Sequence, residues 1–196
     1  MRKLPRSFYR RPAIDLARDL IGKLLVRQLS GKTFRARIVE TEAYVGTHDL
    51  ACHAAKGRTR RTEVMFGPGG HAYVYFIYGV HDMFNIVASV ADDAQAVLVR
   101  AAEPMDGWEA DLSGPGKLAR GMRITRALNG MDLTGDELFL VRDDRAAKPR
   151  IVTGPRVGID YAGEWVHPPL RFVDANSNAV SKPWPVEMRG GRAIHK

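Results

Sequence analysis

Two alternating runs constrain the chain most: RIVETEAYVG at residues 37–46 and HAYVYFIYG at residues 71–79. Period-two alternation of branched, aromatic and polar residues is the pattern of a strand with two unlike faces. Glu42 and Tyr44 then point the same way, and so do Tyr73 and Tyr75. A carboxylate beside several phenols suits a pocket that stacks a flat ring and activates a water next to it. That combination points to a nucleobase or another planar substrate.

The remaining patterns supply a frame for these strands. Pro12 suits the first turn of a helix. Ile14, Ala17, Ile21 and Leu24 recur at helical spacing with Leu20 beside them, and Gly22 marks the end. KLLVRQL and KTFRARIVETEAYV flank Ser30-Gly31 as a β-hairpin. Residues 46–70 form a polar, glycine-rich connection, long enough to suggest function. HAYVYFIY and MFNIVASV follow as a second hairpin around Gly79-Val80-His81, and AQAVLVRAAEP reads as a strand ending at Pro104. A helical region covers about residues 107–129, interrupted by the GPG at 114–116. From Met131, short strands (ELFLV, RVGID, LRFVD) alternate with turns, and the polar tail at 174–196 reads as loosely attached. No repeat or linker divides the 196 residues. The expectation is one α+β domain over 1–196, with a mostly antiparallel β core and flanking helices.

The formal net charge of +8 favours polyanionic partners. The arm at 1–11 carries Arg2, Lys3, Arg6, Arg10 and Arg11 without an acid; it reads equally as a phosphate contact or a solvated tail. Lys56, Arg58, Arg60 and Arg61 fall within six residues, either a phosphate-contact patch or a solvated loop. Gly114-Pro115-Gly116 can present backbone N–H groups to phosphate, with Lys117 adding charge. It is not a Walker A loop, because Asp111 stands at the first glycine position and Leu118 follows the lysine. The six histidines (48, 53, 71, 81, 167, 195) form no close ligand pair, and Cys52 is the sole cysteine. No metal, cofactor or disulfide is expected. No apolar run reaches the length of a membrane span, and no apolar segment follows the N-terminal charges. A cytoplasmic, nucleoid-associated protein without a membrane partner is expected.

The spacing leaves the chemistry open. Glu40 and Glu42 share a strand face, and either could be a general base or a solvated carboxylate. Tyr73 and Tyr75 could line a pocket or pack a core, and Phe76 reads as core. Tyr78, beside Gly79 at a hairpin tip, is a candidate wedge into a base stack.

Together these stretches resemble the alkyladenine (3-methylpurine) DNA glycosylase family. The matching segments are ARDLIGKLLV, RIVETEAYVG, the H-x-x-x-G-R-T run at 53–59, MFGPGGHAYVYFIYG, Asn85, VLVRAAEP, GPGKLARGMRIT and AGEWVHPPLRF, in order over about residues 7–173. The resemblance implies a monofunctional enzyme. It would excise alkylated purines from double-stranded DNA by hydrolysis, without strand cleavage, and so start base excision repair. It also implies a monomer with a protruding, DNA-probing β-hairpin. By motif it assigns Glu42 as the base that activates water and Arg100 as the arginine that helps hold that water. Tyr44, His53 and Tyr75 become base-stacking residues with Tyr73 nearby, Asn85 screens exocyclic substituents, and Tyr78 intercalates. Arg58, Arg60, Arg61 and Lys117 are expected on the DNA backbone. The hairpin departs from the family pattern, with Asp82 and Met83 where an aromatic residue and a cysteine are expected. Arg60 replaces an expected proline. An acid at that tip would weaken binding if it faced phosphate. The alternatives are a non-catalytic nucleic-acid-binding module and, more remotely, a hydrolase of free nucleosides, which would give the basic loop and Tyr78 nothing to hold.

Overall fold

The computed structural model describes residues 1–77, 79–143, 147–185 and 188. Tyr78, the expected wedge, lies outside the described residues. Nine strands form one sheet among them: β1 (Arg2–Lys3), β2 (Leu24–Leu29), β3 (Lys32–Tyr44), β4 (Ala72–Ile77), β5 (His81–Ala88), β6 (Gln95–Pro104), β7 (Leu138–Arg142), β8 (Ile151–Gly154) and β9 (Arg171–Asp174). The order is β1-β7-β2-β3-β6-β5-β4, with β9 on β3 and β8 on β9. Every pairing is antiparallel. The α+β class and the antiparallel core expected from sequence are what the chain adopts.

The 13-residue β3 is the spine of the sheet. Its first half pairs with β2 across Ser30-Gly31, where both residues have positive φ (50° and 74°). That is the geometry of a two-residue hairpin turn whose twist matches its strands. Its second half pairs with β9 on the same edge and with β6 on the other. The β3–β6 register slips twice. Val39 is extra on β3, between Ile38 and Glu40, and Arg100 is extra on β6, opposite the step from Glu40 to Thr41. Bulges re-aim side chains, and these two lie beside both glutamates of the ETE run.

Among the described residues three short helices flank the sheet: α1 (Arg6–Tyr9), α2 (Ala13–Leu20) and α3 (Pro115–Gly121). Pro12 precedes α2, whose Leu16, Ala17 and Leu20 are buried in one core with Ile38, Phe84, Ile86, Val97, Val99 and Phe172. The connection at 46–70 closes tightly on this core. A Cβ at Gly69 would lie 2.6 Å from the Tyr9 carbonyl oxygen and 2.8 Å from that of Ser89. Only glycine permits that approach.

Several expectations fail for local reasons. The helix foreseen over 107–129 is confined to α3 and a single 3-10 turn at Arg126–Leu128. Asp106 and Gly107 turn the chain through positive φ, and the Trp108 indole donates to the Arg35 carbonyl. The GPG then starts α3, with Pro115 in its first turn, instead of interrupting a helix. RVGID is not a strand. Gly158 takes φ +75°, Arg156 turns inward, and the Val157 N–H bonds a side chain, so no ladder forms. Strand β8, from IVTG, was not foreseen. The arm at 1–11 is no free tail: β1 pairs with β7, Arg6 bonds Asp132, and Arg11 bonds Asp19. Residues 174–185 are likewise held, with Val180 and Ser181 buried.

Candidate active site

Strands β3, β4, β5 and β6 converge with the loops at 51–65 and 157–161 on a cavity of about 200 Å³. A single water needs only about 10–15 Å³ by the same measure, so the space suits a ring system. Tyr44, His53, Tyr73, Tyr75, Asn85 and Arg100 all line it, together with Met83, Leu98, Val157, Ile159 and Tyr161. The five residues expected at a base pocket and Arg100, expected as catalytic, are thus brought together from five separate segments.

The aromatic wall is cross-braced. The Tyr73 and Tyr75 rings lie 5.4 Å apart, as their i, i+2 spacing on β4 requires. His53 meets Tyr75 edge-on at 4.5 Å, and its Nδ1 is 2.9 Å from the Tyr73 hydroxyl. Burial, reinforced by Arg61 and Lys56, lowers the His53 pKa to about 4. The imidazole is therefore neutral at physiological pH. Burial raises the phenol pKa values of Tyr73 and Tyr75, so both hydroxyls stay protonated. Asn85 is buried, and its amide nitrogen bonds the carbonyls of Tyr73 (3.2 Å) and Met83 (3.4 Å). The side chain is fixed before any ligand arrives.

Glu42 sits behind this wall. It is 0% exposed, so it is no solvated strand carboxylate. Oε1 accepts the Val157 N–H at 2.8 Å and lies 3.5 Å from Arg100 Nη1. Oε2 accepts the Tyr44 hydroxyl at 3.0 Å. Tyr44, Arg100 and Val157 line the cavity, so Glu42 adjoins it through its own three partners. Arg100 is buried, which disfavours its charge, but Glu42 and Glu40 more than offset this and raise its pKa. Glu40 is equally buried and is held by Arg100, Arg171 and Ser181.

Two residues that sequence reasoning missed support the site. Arg156 grips Asp49 through both terminal guanidinium nitrogens (2.5 and 2.8 Å), and neither side chain is exposed. The same guanidinium lies 4.7 Å from the Tyr44 ring centre and bonds the Ala43 carbonyl. Asp49 also accepts the N–H groups of Val45 and Ala51. Nothing in the local spacing pairs residues 107 apart. The available signal was a lone charge set in an apolar run, as for Arg100 in VLVRAA and Arg171 in PPLRFV.

The expected DNA-backbone residues do not form one cluster of open cations. Arg58 pairs with Glu63 at 2.8 Å and with Asp92, and it covers the Phe66 ring. Arg61 lies over Tyr75 at 5.2 Å, at the edge of the cavity. Arg60 is exposed. Lys117 bonds Asp111 at 2.7 Å on a different segment. Asp82 is turned toward Arg126 at 3.4 Å, and Arg126 covers Phe76, which is half-buried and outside the core clusters. Among the described residues no group of three metal-binding side chains occurs.

The family described as Methylpurine-DNA glycosylase (MPG) matches residues 7–178. A protein of Methanocella arvoryzae, provisionally named a 3-methyladenine DNA glycosylase, is 51% identical over 195 residues, covering 93% of this chain and 97% of its own length. Proteins with the same provisional name from Myxococcus xanthus and Legionella pneumophila are 50% and 44% identical, over 93% of this chain and 95% and 100% of theirs. The chain belongs to the methylpurine-DNA glycosylase family.

Proposed function

We propose that this protein hydrolyses the N-glycosidic bond of alkylated purines in duplex DNA, 3-methyladenine and related lesions among them. It would leave an abasic site for base excision repair. The observation that carries this is the buried Glu42–Arg100 pair directly behind a cavity walled by Tyr44, His53 and Tyr75.

A base inside a duplex is out of reach of such a cavity, so the lesion must be extruded, at a cost of about a few kcal/mol. Tyr78, assigned this role by the family resemblance, fills the gap. Stacking on Tyr44 and Tyr75 returns on the order of 1–3 kcal/mol per contact. A 3- or 7-alkylated purine is cationic, and neutral rings around it add cation–π attraction. A neutral His53 adds no repulsion. Glycoside hydrolysis usually takes two carboxylates, one of them to protonate the leaving group. A cationic purine leaves without that proton. One carboxylate, Glu42, then suffices: it takes a proton from water as the water adds to C1′ and the C1′–N bond breaks. Arg100 orients that water, and Asn85 screens bases by their exocyclic substituents. Arg58, Arg60, Arg61 and Lys117 meet phosphates around the lesion. The protein works as a monomer on chromosomal DNA in the cytoplasm.

The test uses duplexes that each bear one defined lesion, followed by alkali cleavage at abasic sites. The wild type should release free base, and Glu42→Gln should not, while keeping its affinity for an abasic-site analogue. A wild-type protein that binds lesion DNA but frees no base would leave only a binding module.

A further inference from the structure

The site described above uses Glu42, and its neighbour Glu40 has no part in that chemistry. Yet Glu40 is the more heavily bonded of the two. Its Oε1 accepts Arg171 Nε at 2.7 Å, Ser181 Oγ at 2.8 Å and Arg100 Nε at 2.9 Å. Its Oε2 accepts the Ser181 N–H at 2.7 Å. Ser181 Oγ also accepts Arg100 Nη2 at 3.2 Å, which leaves Nη1 to face Glu42 at 3.5 Å. All three nitrogens of one guanidinium are thereby assigned. The bulge that makes Arg100 an extra residue on β6 delivers it between the two carboxylates.

We infer that Glu40 is a positioning residue for excision: with Ser181 it fixes the Arg100 fork and divides its charge between two acids. This rests on the proposed function, since it gives Glu40 a task only if Glu42 is the base. A guanidinium shared with Glu40 pulls less strongly on Glu42 than one devoted to it. Glu42 then faces part of the guanidinium charge, through Nη1, and Glu40 faces the rest, through Nε. The other charged and titratable groups facing Glu42 are Arg156, Tyr44 and Tyr75, with Asp49 balancing Arg156 and Arg171 balancing Glu40. Replacing Glu40 by its amide leaves Arg156, Tyr44, Tyr75 and Asp49 as they are and takes the counter-charge from Arg171, which adds positive charge on the same side.

This fixes the sign of a measurable effect. Glu40→Gln removes a negative charge about 7 Å along the strand from Glu42. Arg100 then acts on Glu42 alone, and the carboxylate becomes a weaker base. Single-turnover excision of 7-methylguanine from a duplex, followed from pH 4.5 to 9, should show a plateau at least tenfold below wild type. Its acid limb should move to lower pH, because a negative charge near Glu42 has been removed. Affinity for a duplex with an abasic-site analogue should stay within threefold. An acid limb that does not move, or a loss of rate matched by an equal loss of abasic-duplex binding, would overturn the proposal, because a merely structural carboxylate would behave so. Ser181→Ala alters the same hydrogen bonds without altering charge. It should slow excision several-fold with the limb in place, and it decides the matter if Glu40→Gln does not fold; a wild-type rate in Ser181→Ala then sinks the idea. Glu42→Gln is run alongside. Full activity in that variant would remove the base assignment itself, a different failure from a normal Glu40 variant with an inactive Glu42 one.

Discussion

The Tyr44 hydroxyl donates to Glu42 Oε2 at 3.0 Å, so the ring that walls the cavity is also bonded to the carboxylate behind it. Burial, then the neighbouring Glu42 charge, raises the Tyr44 pKa well above that of a free phenol, and the proton stays on Tyr44. Under the proposed function, this bond links the stacking residue to the catalytic one.

Tyr44→Phe separates the two. It keeps the stacking ring but removes a donor that favours ionised Glu42. Loss of such a bond raises a carboxyl pKa. The acid limb of single-turnover excision should move up, opposite in direction to Glu40→Gln, with affinity for lesion DNA little changed. A downward shift would mean the hydroxyl does not serve Glu42.

His53 makes the folded protein acid-sensitive. Its pKa is about 4 in the fold, against 6.5 in an unfolded chain. Between these values the unfolded state binds the extra proton, so stability falls as pH drops from 6.5 toward 4 and levels off below that. His53→Gln should flatten this part of the curve, read as the urea midpoint at pH 7 and pH 4.5. An equal acid-induced loss in both proteins would place the sensitivity elsewhere.

Asp49→Asn should destabilise strongly. It leaves the Arg156 guanidinium buried with its paired carboxylate gone, and breaking a buried pair costs about 3–5 kcal/mol. Replacing both partners with a packed apolar pair should recover much of that loss. Chemical denaturation of the single and double variants checks it.

The product should be an intact abasic site. No lysine lines the cavity among the described residues, and hydrolysis needs none. Borohydride should trap no protein–DNA adduct; a covalent adduct would reveal a Schiff base and a lyase.

Salt dependence should distinguish the arginines of the basic loop. Arg60→Ala should flatten the log–log slope for undamaged DNA by about 0.9. Arg58→Ala should change it less, since Arg58 must first exchange Glu63 and Asp92 for phosphate. Equal changes would show that those carboxylates do not compete.

Much of this was legible because strand periodicity is local. Tyr73 and Tyr75 had to share a face, and β2, β3 and Ser30-Gly31 announced their hairpin. What could not be read depends on residues far apart in sequence. Arg156 and Asp49 meet across 107 positions, and Ser181 meets Glu40 across 141. The Arg100 bulge is a matter of register, set by which strands pair, and no composition encodes it. The tail read as loose because its polar residues look like solvated ones until Arg171 and Glu40 provide partners. Asp82 read as a liability toward DNA for the same reason, with Arg126 out of view. Charge alone left the basic loop open between a phosphate contact and a solvated loop, and it did not show that Arg58 is already paired.

If the cavity takes a cationic purine, as proposed, its neutral aromatic lining bears on turnover. The positive charge of an N-alkylated purine nucleotide is lost when the glycosidic bond breaks, because the bonding electrons stay with the base. The rings that draw in a cation then face a neutral heterocycle and hold it less firmly. On the proposed reading, the attraction for the damaged base is thus removed by the reaction itself, and the freed product leaves a cavity that no longer favours it.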